Sequence, residues 1–266
     1  MNRIVKKFYE LKKKRKKALI VYLTAGDPSL KKNQELIHAF EKDGVDLIEL
    51  GVPFSDPLAD GPVIQAASQR ALSKGTRLTD ILGLVKKARR SSDLPILLMS
   101  YLNPLLRFGM QRFARQAAAS GVDGVIIPDL PPDEGRAIAS ALRKQGLCLV
   151  YLLAPTSTPE RVQKIIKASS GFIYYVSLTG VTGSKQQAPG LMRDNLRRAR
   201  LKSRLPVCVG FGISTPRHAK AMAKLSDGVI VGSALVNALY ENPWMSATAF
   251  SNKFVRPFAR ALNGKG

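Results

Sequence analysis

Cysteine and histidine are nearly absent from this chain of 266 residues: there are two of each. Cys148 and Cys208 stand in apolar runs, LCLVYLL and VCVGF, without C-x-x-C spacing. They read as buried thiols rather than as a disulfide or a metal site. His38 and His218 stand alone in helical stretches, so two scattered imidazoles supply no ordinary zinc site and no metal is expected. Acidic residues are scarce as well. There are 19, against 42 lysines and arginines, for a net charge of +23. No apolar run approaches the ~20 residues that a membrane span needs. The N-terminus has no apolar core of a secretory signal. A cytoplasmic protein is the expectation.

The positive balance points to nucleic acid, an anionic surface, an acidic partner or an anionic substrate, or simply to a solvated surface. The bases are spread along the chain, with one dense run from Lys6 to Lys17. There Ile4, Val5, Phe8 and Leu11 share one side of a helix over residues 2–16 and the lysines take the other. Such a helix can cap the bottom of a core, or lie on a membrane or a nucleic acid. The cap is the expectation, and no membrane or nucleic-acid partner is expected.

What the chain has in quantity is short β-rich apolar runs. Eight occur: ALIVYLT, VDLIEL, PILLMSY, VDGVIIPD, LCLVYLL, GFIYYVS, LPVCVGF and DGVIVGS. Most are continuously apolar, as in strands covered on both faces. Helical patterns alternate with them, such as LKKNQELIHAFEKDG and PTSTPERVQKIIKAS. The second opens with Thr158 as N-cap, Pro159 and an acid. Residues 244–262 read as a last amphipathic helix. Eight strand–helix units predict a single (β/α)8 barrel over residues 1–266, with an extra N-terminal helix. A doubly wound open sheet is the alternative. The longest connections follow the second and sixth strands, which places them at the C-terminal face.

Three features there can carry chemistry. Glu49 sits near the end of the second strand in LIELGVPFSDPLADGP, among apolar neighbours that would raise its pKa and make it a proton donor near neutrality. It could equally be a rim glutamate paired with a lysine. Asp60 lies in the proline-stiffened loop behind it, as a second carboxylate or as a turn residue capping the next helix. GFGIS and GSALV end the seventh and eighth strands. There glycine N–H groups and a helix N-terminus can hold phosphate, or the glycines can serve tight turns. TGVTG, after the sixth strand, suits a lid or a surface loop.

YLTAGDP, LIELGVPFSDPLADGPVIQ, PDLP, SLTGVTG, GFGIS and GSA, in that order, resemble the tryptophan synthase α-subunit family from about residue 15 to about residue 260. The resemblance implies a lyase in tryptophan biosynthesis that splits indole-3-glycerol phosphate into indole and glyceraldehyde 3-phosphate by a retro-aldol step. It implies Glu49 as acid–base residue and Asp60 as the carboxylate beside the indole N–H. It places the substrate phosphate at Tyr174, Gly183, Phe211, Gly212, Gly232 and Ser233. Tyr22, Ile64, Tyr101 and Thr182 would line the indole end or the lid. No metal or cofactor is implied in this chain. Pyridoxal phosphate is expected in a β-subunit partner, within an αββα heterotetramer, with Pro53, Asp56 and Asn103, Pro104 and Leu105 facing it. Two other readings remain: an allosteric subunit that activates the β subunit without chemistry of its own, and another phosphate-binding barrel isomerase.

Overall fold

The computed structural model describes residues 1–176, 189–210 and 212–264. Strands β1 (Ala18–Thr24), β2 (Leu47–Gly51), β3 (Ile96–Met99), β4 (Gly124–Ile126), β5 (Cys148–Val150), β6 (Leu152–Leu153), β7 (Ile173–Val176), β8 (Val207–Gly210) and β9 (Gly228–Val231) lie in one sheet. Neighbouring strands run parallel, in the order β5-β4-β3-β2-β1-β9-β8-β7-β6. β5 and β6 are two halves of the expected fifth strand, separated by Tyr151. The strand changes neighbours there: the first half pairs with β4 and the second with β7. That switch closes the ring, so the fold is the (β/α)8 barrel and not the open sheet.

Alternation along each strand sorts the side chains. Ile48 and Leu50 of β2 face the helices, within one large apolar cluster. Leu47 faces the ring interior with Ile20, Tyr22, Leu97, Ile126, Val150, Tyr174, Cys208 and Ile230. Glu49 is two residues on from Leu47, so it faces inward too. The interior is filled rather than hollow, and two of its widest side chains take space left by glycines. A Cβ on Gly51 would stand 1.9 Å from the Tyr22 hydroxyl, and one on Gly210 would stand 2.4 Å from that of Tyr174. Gly51→Ala therefore forces Tyr22 out of its place. It is expected to cost about 1–3 kcal/mol in urea unfolding, the usual range for overpacking a core.

Three of the 19 acids stand where strands begin. Asp46 gives its N–H to the Leu19 carbonyl (2.8 Å) and accepts the Leu19 N–H on its carboxylate (2.9 Å). Asp123 makes the same pair with Ile96 (2.9 and 2.9 Å), and Asp227 with Val207 (2.8 and 3.0 Å). Ser170 does so with Leu149 through its hydroxyl (2.8 and 2.8 Å). Each of these residues heads the second strand of a consecutive pair and clasps the first.

The N-terminal helix, Arg3–Lys13, covers the bottom of the ring. Ile4, Phe8 and Leu11 join the interior cluster, and Phe8 stacks at 5.6 Å on Phe172. Val5 does not: it is 42% exposed, because the covering face is narrower than the four apolar residues suggested. The last helical stretch is not one regular helix. It runs as Ala247–Phe250, a π-helical turn Ser251–Val255, and Arg256–Asn263. Pro257 lacks an N–H, and its ring would strike the carbonyl of Lys253 in a regular α-helix, so the wider turn relieves the clash.

Candidate active site

Glu49 lies near the C-terminal end of β2, 1% exposed, between Tyr22 and Leu97 on the neighbouring strands. Burial, helped by the negative charge of Asp60, pushes its carboxyl up to about 8. No lysine pairs with it, and its Oε2 has no hydrogen-bond partner among the described residues. The rim ion pair that was the ordinary alternative for this residue does not form among the described residues.

Asp60 sits in the loop between β2 and the helix Pro62–Ser73. It does not cap that helix; the N-cap is Gly61, without a side-chain bond. Its carboxyl is pushed up to about 6, first by burial, with a hydrogen bond from Tyr101 pulling the other way. The loop is fixed from three sides. The Asp60 N–H reaches the Pro57 carbonyl (3.0 Å), the Ala59 N–H reaches the Tyr101 hydroxyl (2.8 Å), and Gln65 donates to the Asp60 carbonyl (2.9 Å).

Three tyrosines surround the two acids. Tyr22 and Tyr174 are buried in the interior, and burial together with the charges of Glu49 and Asp60 raises both phenols. Tyr101 follows β3, packs at 5.4 Å on Phe54 and has its phenol raised by burial and by Asp60. Ile64, half-buried on the helix Pro62–Ser73, packs against the interior cluster. On the other side, the paired strands β8 and β9 end at Gly210 and Val231, and Gly212 and Gly232 follow them. Gly212 has φ +72°, in the left-handed region. Gly232 begins the helix Ser233–Glu241 with no side-chain cap, leaving its first N–H groups toward the mouth. A Cβ on Gly232 would come within 3.4 Å of Tyr22. The acids and the glycine turns thus share the C-terminal end of the ring.

Gly183, Thr182 and Phe211 lie outside the described residues. The five residues assigned to a partner face divide. Asp56 and Asn103 are exposed and Pro104 is half-buried. Pro53 is buried, and Leu105 is 0% exposed within the apolar cluster between helices. These two side chains point into the chain's own core, while the loop and the short helix that carry them also bear the exposed Asp56 and Asn103.

Several supporting residues were not singled out from the sequence. Arg70 grips Asp27 with two bonds (3.0 and 2.7 Å) and stacks on Tyr240. Asn33 holds Gly26, Thr24 and Asp27 together after β1. Asp129 caps the helix after Tyr101 by accepting the Leu102 N–H. Their neighbours in the loop motifs were visible, but only the folded chain shows which side chains tie one loop to the next. Among the described residues, no group of three His, Cys, Asp or Glu could hold a metal. Nor is any helix there long and apolar enough to cross a membrane.

The family model described as tryptophan synthase alpha chain matches residues 8–260. This chain belongs to that family. The alpha chain of Geotalea daltonii is 50% identical over 236 residues, 89% of each chain. That of Pelobacter propionicus is 44% identical over 264 residues, 99% of each. Among solved structures, tryptophan synthase subunit alpha of Legionella pneumophila superposes with a TM-score of 0.91 at 40% identity, covering 98% of both chains. The tryptophan synthase complex of Pyrococcus furiosus matches with a TM-score of 0.83 at 40% identity, covering 91% of this chain and 98% of that one. As an alpha chain of tryptophan synthase, the protein is a lyase of tryptophan biosynthesis.

Proposed function

We propose that Glu49 and Asp60 carry the retro-aldol cleavage of indole-3-glycerol phosphate and that the glycine turns after β8 and β9 hold its phosphate. The observation that supports this most is the unlike protonation of two acids in one pocket. At pH 7 a carboxyl near 8 keeps its proton and one near 6 has lost it. Glu49 gives its proton to the ring carbon that bears the glycerol side chain. The ring becomes an iminium-like cation, and Asp60 accepts the indole N–H bond and stabilises that charge. The resulting Glu49 carboxylate takes the proton of the side-chain hydroxyl next to the breaking bond. The carbon–carbon bond then breaks, its electrons return to the ring, and indole and glyceraldehyde 3-phosphate leave. No cofactor enters this sequence of steps. Tyr22, Ile64 and Tyr101 wall the indole end, and Tyr174 lies towards the phosphate.

Indole released from indole-3-glycerol phosphate, followed against pH, tests the assignment. Activity is expected to fall below pH about 6, where Asp60 takes up a proton, and above about 8, where Glu49 loses its own. A flat profile from 5 to 9 would reject the pair. The phosphate site is tested by Ser233→Asp. An acid suits the first turn of a helix, so folding is retained, while repulsion of the phosphate should raise KM about tenfold or more with a smaller change in kcat. An unchanged KM would move the phosphate elsewhere.

A pyridoxal-phosphate β subunit is the partner proposed, in an αββα assembly whose contact includes Pro53, Asp56, Asn103, Pro104 and Leu105 on this chain. These residues flank the loops that hold Asp60 and Tyr101, so docking there would bear directly on the acids. Residues 1–266 are taken as one barrel domain.

A further inference from the structure

At the end of the barrel opposite Glu49, a groove of about 1160 Å³ runs between the N-terminal helix and the helix Pro189–Lys202. Its floor is made by Lys17, Pro206 and Asp227, which immediately precede β1, β8 and β9. Nine lysines and arginines line it against two acids, Asp194 and Asp227. One wall carries Lys12, Arg15 and Lys16. The other carries Arg193, Arg197 and Arg200, spaced four and three apart so that they share a helix face. Only Arg200 is ion-paired among the described residues, to Asp227 at 2.9 Å, and Lys17 is spent on the Ser226 carbonyl at 2.6 Å. The remaining seven cations line the groove with no ion pair among the described residues.

A second, independent observation concerns Arg15. It is the one non-glycine residue of positive φ among the described residues, at +52°. It closes the N-terminal helix in a two-bond C-terminal turn, Arg15 N–H to Lys12 and Lys16 N–H to Leu11. Glycine is the relaxed choice at that position. The chain instead keeps a long cation there, exposed and lining the groove. A strained position that retains a costly side chain points to a use for it.

We propose that this groove binds a compact, multiply charged polyphosphate anion. The walls offer guanidinium forks that match phosphate oxygens. The groove is concave on two sides, which does not suit a flat membrane. Its aromatic residue, Phe8, is buried, so it offers no stacking platform for single-stranded bases and no aromatic anchor for a protein partner. Leu201 is the large apolar side chain exposed in the lining; against seven unpaired cations it is a minor feature, and charge and shape select the ligand.

The test uses the full chain and inorganic tripolyphosphate in titration calorimetry at 50 mM salt, with saturating glycerol 3-phosphate present to occupy the catalytic cradle. One saturable site is expected, weakening at least tenfold by 300 mM salt. The double variant Arg197→Glu, Arg204→Glu, the second at another arginine lining the groove, should bind at least tenfold more weakly, with indole release and thermal midpoint unchanged. Arg15→Gly should lose affinity severalfold while its thermal midpoint stays equal or rises, which a merely structural arginine would not do. Three results would overturn the proposal: no saturable binding, affinity unchanged by charge reversal, or a short DNA duplex that binds more tightly than tripolyphosphate.

Discussion

Glu49→Gln is expected to lower indole release by about 10²–10⁴-fold, the range that a positioned acid–base group contributes. The substitution keeps size and shape, so the interior around Tyr22, Leu97 and Tyr174 need not move. What it removes is a proton that can be handed to carbon. Substrate binding should persist, because the phosphate turns and the indole walls are untouched, so the loss falls on kcat rather than KM. Glu49→Asp keeps the acid but withdraws it by one methylene and should fall between. Retention of near full turnover by the glutamine variant would transfer the proton chemistry to another group. It would also favour the reading of the chain as an allosteric subunit, provided that activation of a β subunit is retained as well.

The same substitution is expected to stabilise the protein at high pH. The Glu49 carboxyl rises from 4.5 in the unfolded chain to about 8 in the fold. Below pH 4.5 both states hold the proton and the group costs nothing by this route. Between these values the unfolded chain ionises and the folded one does not, so stability falls as pH rises. At about 1.4 kcal/mol for each tenfold change, the cost approaches roughly 5 kcal/mol by pH 8 and is constant above. Glutamine has no such dependence. Urea unfolding at pH 5 should show similar stabilities for the two proteins, and at pH 9 the variant should be more stable by several kcal/mol. Parallel stability curves would mean that Glu49 is not held protonated. The two results together would express a trade-off: the acid that serves the reaction is a burden on the fold.

Much of this was legible in the residues. All eight strands stand where the apolar runs put them, since continuous apolar runs are what a doubly covered parallel sheet requires. Glu49 was visible because a carboxylate is out of place in such a run. Asp60 was visible only through its motif; a lone aspartate among prolines reads as well as a helix cap, and only the structure shows Gly61 in that place. Other points were hidden. The break at Tyr151 depends on which strands lie on either side, a property of the closed ring and not of one segment. Leu105 entered only as part of a segment that the family resemblance placed toward a partner; that its side chain lies in the apolar cluster is set by a helix too short to show a period. The π-turn before Pro257 was hidden because Phe250, Phe254, Phe258 and Leu262 keep a spacing of four straight through it.

The side chains at Asp46, Asp123, Ser170 and Asp227 have one more implication. Each joins β2 to β1, β4 to β3, β7 to β5 and β9 to β8, so the ring is made of four doublets rather than of eight equal staves. Severing the chain after β2, after β4 or after β7 would leave all four latches whole, and severing it inside a doublet would undo a latch. New termini or inserted domains belong at those three seams.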